Sequence, residues 1–461
     1  MSRSTLVIGG GIGGLACAHR LSCLARSGGE SRRITVLEAG VRWGGVIASE
    51  RHAGFLCERG PDAVLTAKPA AIELMRELGL GERIIAVSPA ARRTLIARGR
   101  RLVPVPDGLY LLAPGKLWPF VTSSAISWLG KLRMLGDLVA PRRSPGVDEE
   151  SLAAFVRRRL GREALERLAQ PLIGGIYSAD PEVLSIDAAM PQFVAMEREH
   201  RSLILAMMRR SATTAVAGPR YGLFASLVGG LEELVTALVD RLAGVDLRLR
   251  SPVMALERVG AGWRARSADG VCIDADEVVI AGPAHVAGRL LTETAPALAT
   301  DLGAIPYRGV ATVNLGFRGM ELPESAGFVV PAVEGRSISA CTFASRKFAG
   351  RAPTGDGLVR AAVGHGLSDG SNEAVCAGAL ADLRVLVGGA LQPEVTLVTR
   401  HPCALAQPVL GHAARVARIR AAQATLPGLA LVGNGYEGSG IPDVITQAEA
   451  AARRLAPGQP A

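Results

Sequence analysis

The chain has 461 residues, 49% hydrophobic and 20% charged, with a mean hydropathy of +0.26; this excludes a disordered chain and leaves ample core for two or three domains. A net charge of +10 and a pI near 9.7 favour acidic partners such as carboxylate substrates or a membrane surface, and no nucleic-acid partner is expected. Seven scattered cysteines without a C-x-x-C pair point to neither a disulfide framework nor a metal site, and they fit a reducing cytoplasm.

The opening stretch Thr5 to Ala16 predicts a strand, a tight turn and a helix. An apolar run, Leu6 to Ile8, leads into Gly9, Gly11 and Gly14 at G-x-G-x-x-G spacing, with Gly13 between them, and helix-forming residues follow. Such a turn lets backbone approach a pyrophosphate, whose charge rests against the helix N-terminus. A second strand, Ile34 to Leu37, ends in Glu38 and Ala39; Glu38 stands 24 residues after Gly14, near the spacing at which an acid holds a ribose hydroxyl pair. A signal-peptide reading of the first 18 residues is rejected, because cleavage there would destroy this turn.

Next comes an R-x-G-G turn, Arg42 to Gly45, in which Gly44 and Gly45 allow backbone approach and Arg42 supplies charge to the pyrophosphate. Together with the opening fingerprint it favours FAD over NAD. The turn Gly60, Pro61, Asp62 either runs beside the flavin ring or is a plain surface turn. An amphipathic helix is predicted over Pro69 to Leu80.

From about Pro89 to Gly218 the character changes. Arginines cluster around a β-like run, Thr94 to Ala97, and the stretch Tyr110 to Ala140 gathers Trp118, Phe120 and Trp128 with few acids. That composition suits a membrane interface, the wall of an apolar pocket or a structural core. Glu149 to Leu168 predicts an amphipathic helix pair with solvated arginines, and Met196 to Arg210 a single basic amphipathic helix. From Tyr221 the pattern returns to α/β, with Val253 opening a short strand, and Val278 to Ala281 reads as a buried strand before a turn carrying His285, a capping or packing residue. Alternating strands over Pro306 to Leu397 predict an antiparallel substrate sheet. The chain closes with a strand, Leu429 to Val432, a Gly-rich turn holding Gly433, Asn434 and Gly440, and a helix opened by Ile441, Pro442, Asp443 and Val444. Its N-terminus would favour the negative charge of a reduced flavin.

The segments GGGIGGLACA, LEAGVRWGG, ERGPDAVL, LIGGIYSADPEVLS, MEREHRSLI and VGNGYEGSGIPDVITQAEAAA resemble the oxygen-dependent protoporphyrinogen and coproporphyrinogen III oxidases over essentially the whole chain. The resemblance implies an α/β and α+β fold: a Rossmann-like FAD domain of p-hydroxybenzoate-hydroxylase type, a mixed substrate sheet domain and a helical membrane-associating domain. The expected boundaries are 1–88, 219–290 and 401–461 for the FAD domain, 89–218 for the helical domain and 291–400 for the substrate sheet. The implied reaction is repeated two-electron oxidation of a porphyrinogen, with hydride passing to flavin N5 and molecular oxygen taking the electrons. Protoporphyrinogen IX is the first substrate expectation and coproporphyrinogen III the alternative; Glu437 in the tail resembles the latter branch. Arg93, or neighbouring Arg92, falls where the family places a propionate-binding arginine, and Lys68 falls where some relatives carry a basic residue. The resemblance further implies a peripheral membrane contact, a ferrochelatase contact and a homodimer. An amine oxidase or carotenoid desaturase on the same scaffold, or a flavin-bound haem-pathway chaperone, are the competing readings.

Overall fold

The computed structural model describes residues 3–91, 93–110, 112–144, 146, 148–213, 224–364 and 370–456. Its organising element is a five-stranded parallel sheet in the order Asp246–Arg248, Arg32–Leu37, Arg3–Ile8, Glu277–Ala281, Leu429–Val432. Every neighbouring pair is parallel, with Leu6 opposite both Thr35 and Val278. Near-continuous Val, Ile and Leu is the composition a strand needs when both its faces are buried. Side chains alternate accordingly. Val7, Val36, Val279 and Ala430 pack with the helices Ile12–Ser27, Glu232–Arg241 and Ile441–Leu455. Leu6, Ile8, Ile280 and Leu431 enter a second core shared with Ala284–Leu290, Pro296–Gly303 and His412–Ala424.

At the amino edge of this sheet, buried Glu277 accepts from Thr5 Oγ1 at 2.9 Å and from Arg3 at 3.2 Å, and it pairs with Arg32. The cluster satisfies a carboxylate that would otherwise be costly to bury. It also pins together three strands that are far apart in the chain.

The second sheet has seven strands, in the order Val395–Ala406, Tyr307–Phe317, Gly357–Val363, Ile338–Phe343, Gly327–Val329, Thr94–Arg98, Arg101–Pro104. All pairs are antiparallel except Gly327–Val329 with Thr94–Arg98, which run parallel. The sheet is thus mixed. The apolar run after Arg93 folds with Arg101–Pro104 as a hairpin, and the hairpin extends the sheet instead of joining the helices that follow it in sequence.

Those helices form their own core, and here two expectations are corrected. The stretch Met196 to Arg210 is two helices, Pro191–His200 and Leu203–Thr213, because Arg201 turns left-handed at φ 64°. Nor are all the arginines of Leu152–Arg159 solvated: Arg159 is fully buried and bonds Asp137 at 2.6 Å, with Glu197 at 3.3 Å. Asp137 also accepts from Ser202 Oγ at 2.5 Å and from the Ile204 amide at 3.0 Å. The acids come from neighbouring helices, so helical periodicity could not reveal them. Among the described residues, no helix is long and apolar enough to cross a membrane.

Candidate functional site

Because all five strands of the first sheet run the same way, the turns after Ile8, Leu37, Ala281 and Val432 emerge at one carboxyl edge, where open α/β sheets bind ligands. The opening turn is tightly fitted there. A Cβ on Gly9 would lie 2.1 Å from the Ala281 carbonyl oxygen, one on Gly14 1.9 Å from the Gly9 carbonyl oxygen, and one on Gly13 2.9 Å from Val444 Cγ1. Gly11 differs, since a Cβ there would meet nothing within 4 Å. It faces open space at the head of the helix Ile12–Ser27, and its position caps that helix without a side-chain hydrogen bond. The first helical amides are therefore available to an anion.

Glu38, half-buried at the end of its strand, accepts from the Gly10 and Gly40 amides at 2.7 Å each. Ala39 between them is exposed. The amide of Gly44 donates to the Gly10 carbonyl at 2.8 Å, joining the second turn to the first, and a Cβ on Gly45 would stand 3.4 Å from Gly11 Cα. Arg42 behaves differently from its expected part. Its guanidinium donates to the carbonyls of Trp43 at 3.0 Å, Ile47 at 2.9 Å and Gly45, so its charge is occupied in shaping the turn. Gly60 approaches the same segment: a Cβ there would be 1.8 Å from the Val46 carbonyl oxygen. Beyond Pro61, Asp62 is held by Lys347 Nζ at 2.7 Å. Burial raises the Asp62 pKa, but the cations Lys347, Arg360 and Arg351 outweigh it and the net shift is downward. Val253 opens the strand after Ser251, whose amide donates to the Glu38 carbonyl at 2.8 Å.

The closing turn reaches the same edge. Gly433 donates to Gln447 Oε1 at 3.2 Å, and Asn434 spans to the second sheet, donating to the Ala404 carbonyl at 2.6 Å and accepting from Tyr307 Oη at 3.3 Å. Gly440 caps the last helix, with Pro442 in its first turn, and its amide donates to Asp443 Oδ2 at 3.2 Å. Ile441 packs against the first core and Val444 belongs to it. Lys68, from a segment 375 residues away, contacts Asp443 Oδ1 at 2.6 Å. Its ammonium is thus engaged at the closing helix. Glu437 is likewise engaged, bonding Arg420 in a bidentate pair.

Arg93 stands exposed at the start of the hairpin strand, its carbonyl accepting from the Ala326 amide at 2.9 Å. Ala91 and Ala326 pack in one cluster with Ala63, which ties this corner to the Gly60–Asp62 turn. Among the described residues the Arg93 guanidinium has no ion pair. Arg92 lies outside the described residues. His285 stacks edge-on against Tyr307 at 4.9 Å, and burial, then Arg289, pulls its pKa down; it packs, as its place after the buried strand suggested. The tyrosines escaped sequence reasoning. The chain has five, and Tyr177, Tyr307 and Tyr436 gather near the closing turn: Tyr307 bonds Asn434, while Tyr177 is pushed up to about 12 by burial and the nearby Asp443 carboxylate. Their scarcity elsewhere was the signal that could have found them.

The profile of flavin-containing amine oxidoreductases matches residues 12–456. A coproporphyrinogen III oxidase of Propionibacterium freudenreichii subsp. freudenreichii is 36% identical, the alignment covering 96% of this chain and 89% of that protein. The Bacillus subtilis (strain 168) protein of the same name is 34% identical over 97% of each chain, and a Bos taurus protoporphyrinogen oxidase is 31% identical over 99% of this chain and 98% of its own. The crystal structure of an Exiguobacterium sp. 255-15 protein, provisionally named a protoporphyrinogen oxidase, superimposes with a TM-score of 0.87 at 31% identity and full coverage of both chains. Reduced UDP-galactopyranose mutase shares the fold alone, with a TM-score of 0.76 at 14% identity, over 99% of this chain and 94% of its own. The chain therefore belongs to the flavin-containing amine oxidoreductases, within their porphyrinogen-oxidase branch, and is an FAD-dependent oxidoreductase.

Proposed function

We propose that this protein oxidises coproporphyrinogen III to coproporphyrin III, with molecular oxygen as the final electron acceptor. The observation that carries the choice is the pattern of relatives: the two bacterial proteins at 36% and 34% identity bear the coproporphyrinogen name, whereas the protoporphyrinogen oxidase named above stands at 31%. This reverses the order of substrates expected from the sequence. Glu437 does not support the choice, since its carboxylate is paired with Arg420.

The residues that would hold FAD fit it chemically. Gly11 leaves open space at an uncapped helix N-terminus, which suits the pyrophosphate. Glu38 is an acceptor beside it for ribose hydroxyls, and the helix Ile441–Leu455 offers its positive end. When bound, FAD supplies the hydride acceptor and passes electrons on to oxygen. The chain's own part is to orient and to tune. Arg93, with its guanidinium free of an ion pair among the described residues, would fork a substrate propionate. Lys68 offsets the Asp443 carboxylate, so that the closing helix keeps its positive end toward the cofactor.

The exposed side chains of Trp118, Trp128, Leu129, Leu132 and Val139 support a peripheral membrane contact through the stretch Tyr110 to Ala140. Lys131 Nζ sits 4.1 Å over the Trp128 ring, holding that aromatic outward. Co-sedimentation with anionic vesicles tests this: Trp118→Ser with Trp128→Ser should abolish binding, and a wild-type protein that stays in the supernatant overturns it.

Anaerobic mixing of the holoenzyme with each porphyrinogen tests the substrate. Rapid flavin bleaching with coproporphyrinogen III, followed by porphyrin fluorescence after oxygen is admitted, is the expected result; bleaching with protoporphyrinogen IX alone would overturn the assignment.

A further inference from the structure

His19 and Cys23 stand one turn apart on the helix Ile12–Ser27, and Glu77 ends the helix Ala70–Glu77 beside them. His19 Nε2 lies 3.1 Å from Glu77 Oε1 and 3.8 Å from Cys23 Sγ. The three ligand atoms all fall within 4.8 Å of one another. Zinc bonds of about 2.0–2.1 Å to nitrogen and oxygen and about 2.3 Å to sulfur set tetrahedral edges of roughly 3.4 Å between N and O and roughly 3.6 Å between N and S. The protein thus already holds the three atoms close to the edges of such a tetrahedron.

We propose that His19, Cys23 and Glu77 bind one thiophilic divalent cation of the zinc class, with water as the fourth ligand. Neutral imidazole, thiolate and carboxylate together carry two negative charges, which balance the ion, and the thiol proton leaves to solvent as the metal–sulfur bond forms. His19 is only 5% exposed whereas Glu77 is 37% exposed, so the site is walled on the protein side and open to water on the other. His19 Nδ1 is buried with no hydrogen-bond partner, which leaves Nε2 as the nitrogen aimed into the cluster. Arg20 bonds the other Glu77 oxygen, Oε2, at 3.3 Å and Glu449 at 3.1 Å; it leaves Oε1 free and braces the carboxylate, as outer partners of ligands do. Arg26 reaches Cys23 Sγ at 3.6 Å but is exposed and swings into solvent when the ion enters.

The sequence suggested no metal because the acid stands 58 residues from His19. The ion clips the nucleotide-binding helix to its neighbour, about 12 Å along the helix from Gly11 at 1.5 Å per residue. Its effect is therefore on stability and not on turnover.

The test uses reduced, metal-stripped holoenzyme titrated with zinc and with cobalt. One equivalent should bind, with a rise in Tm and a thiolate-to-cobalt charge-transfer band in the difference spectrum. Cys23→Ser and Glu77→Gln should each weaken zinc at least about tenfold, the loss that even outer-shell changes cause, while Cys272→Ser, at an exposed thiol elsewhere, changes nothing. Flavin content reports that each variant is folded. Wild-type protein that binds no zinc, or Cys23→Ser that binds it as tightly as wild type, overturns the proposal.

Discussion

Lys68 Nζ lies 2.6 Å from Asp443 Oδ1, joining the segment after the Gly60–Asp62 turn to the first turn of the closing helix. Removing the lysine leaves a carboxylate uncompensated at a helix N-terminus. Lys68→Met should therefore lower the flavin midpoint potential and slow flavin reduction by substrate. Lys68 is half-exposed, and exposed pairs are worth about 1 kcal/mol at most, so the shift should be about 20 mV or less for a two-electron couple. Spectroscopic redox titration checks both size and sign.

The glycines of the opening turn divide into packing and approach. Gly14→Ala places a methyl 1.9 Å from the Gly9 carbonyl oxygen and should cost about 3 kcal/mol or more, as overpacking does. Gly11→Ala meets no protein atom within 4 Å, so the apoprotein should melt as wild type while losing FAD. Thermal melts of apoprotein paired with flavin content per folded chain separate the two outcomes.

Arg93→Ala should raise KM for the porphyrinogen about 10- to 150-fold, from the roughly 1.5–3 kcal/mol of a charge-assisted hydrogen bond. Flavin content and Tm should hold, because the side chain is exposed. Steady-state kinetics beside the flavin spectrum is the measurement.

Arg159 and Asp137 are both fully buried. Asp137→Ala would leave the guanidinium without that partner and should destabilise by about 3–5 kcal/mol. Replacing both with apolar residues should cost far less. Urea denaturation of the two variants gives the comparison.

His412 is buried among the last helices, and burial pulls its pKa below the ordinary imidazole value despite the Tyr436 carbonyl. The folded protein keeps it neutral, whereas the unfolded chain takes up a proton near pH 6.5. Its contribution is therefore complete above that pH and is lost as pH falls below it. His401 is shifted the same way. Stability should decline between about pH 7 and pH 5, and His412→Gln should flatten that slope in urea melts at a series of pH values.

The carboxyl edge of the first sheet was legible because its signals are local: glycines at fixed spacing after an apolar run, an acid at the end of the next strand, and Pro442 with Asp443 opening the final helix. What stayed hidden depends on partners distant in the chain. Arg159 reads as a solvated helical arginine until Asp137 and Glu197 are brought against it. Lys68 reads as a free cation until Asp443 arrives from the far end. The hairpin Thr94–Pro104 was legible as strand, but its parallel partner Gly327–Val329 lies more than 200 residues on, so its membership of the second sheet was not.

Glu277 and the strand it belongs to have a consequence for synthesis of the protein. Arg3–Ile8 leaves the ribosome first, yet its neighbour Glu277–Ala281 follows after most of the chain, and the outer strand Leu429–Val432 comes close to the end. At about 5–20 residues per second the wait is on the order of tens of seconds. Throughout that time one edge of the first strand is bare and the arginines at its foot lack their carboxylate. FAD loading is therefore a late event, and the nascent chain depends on something else to shield that edge.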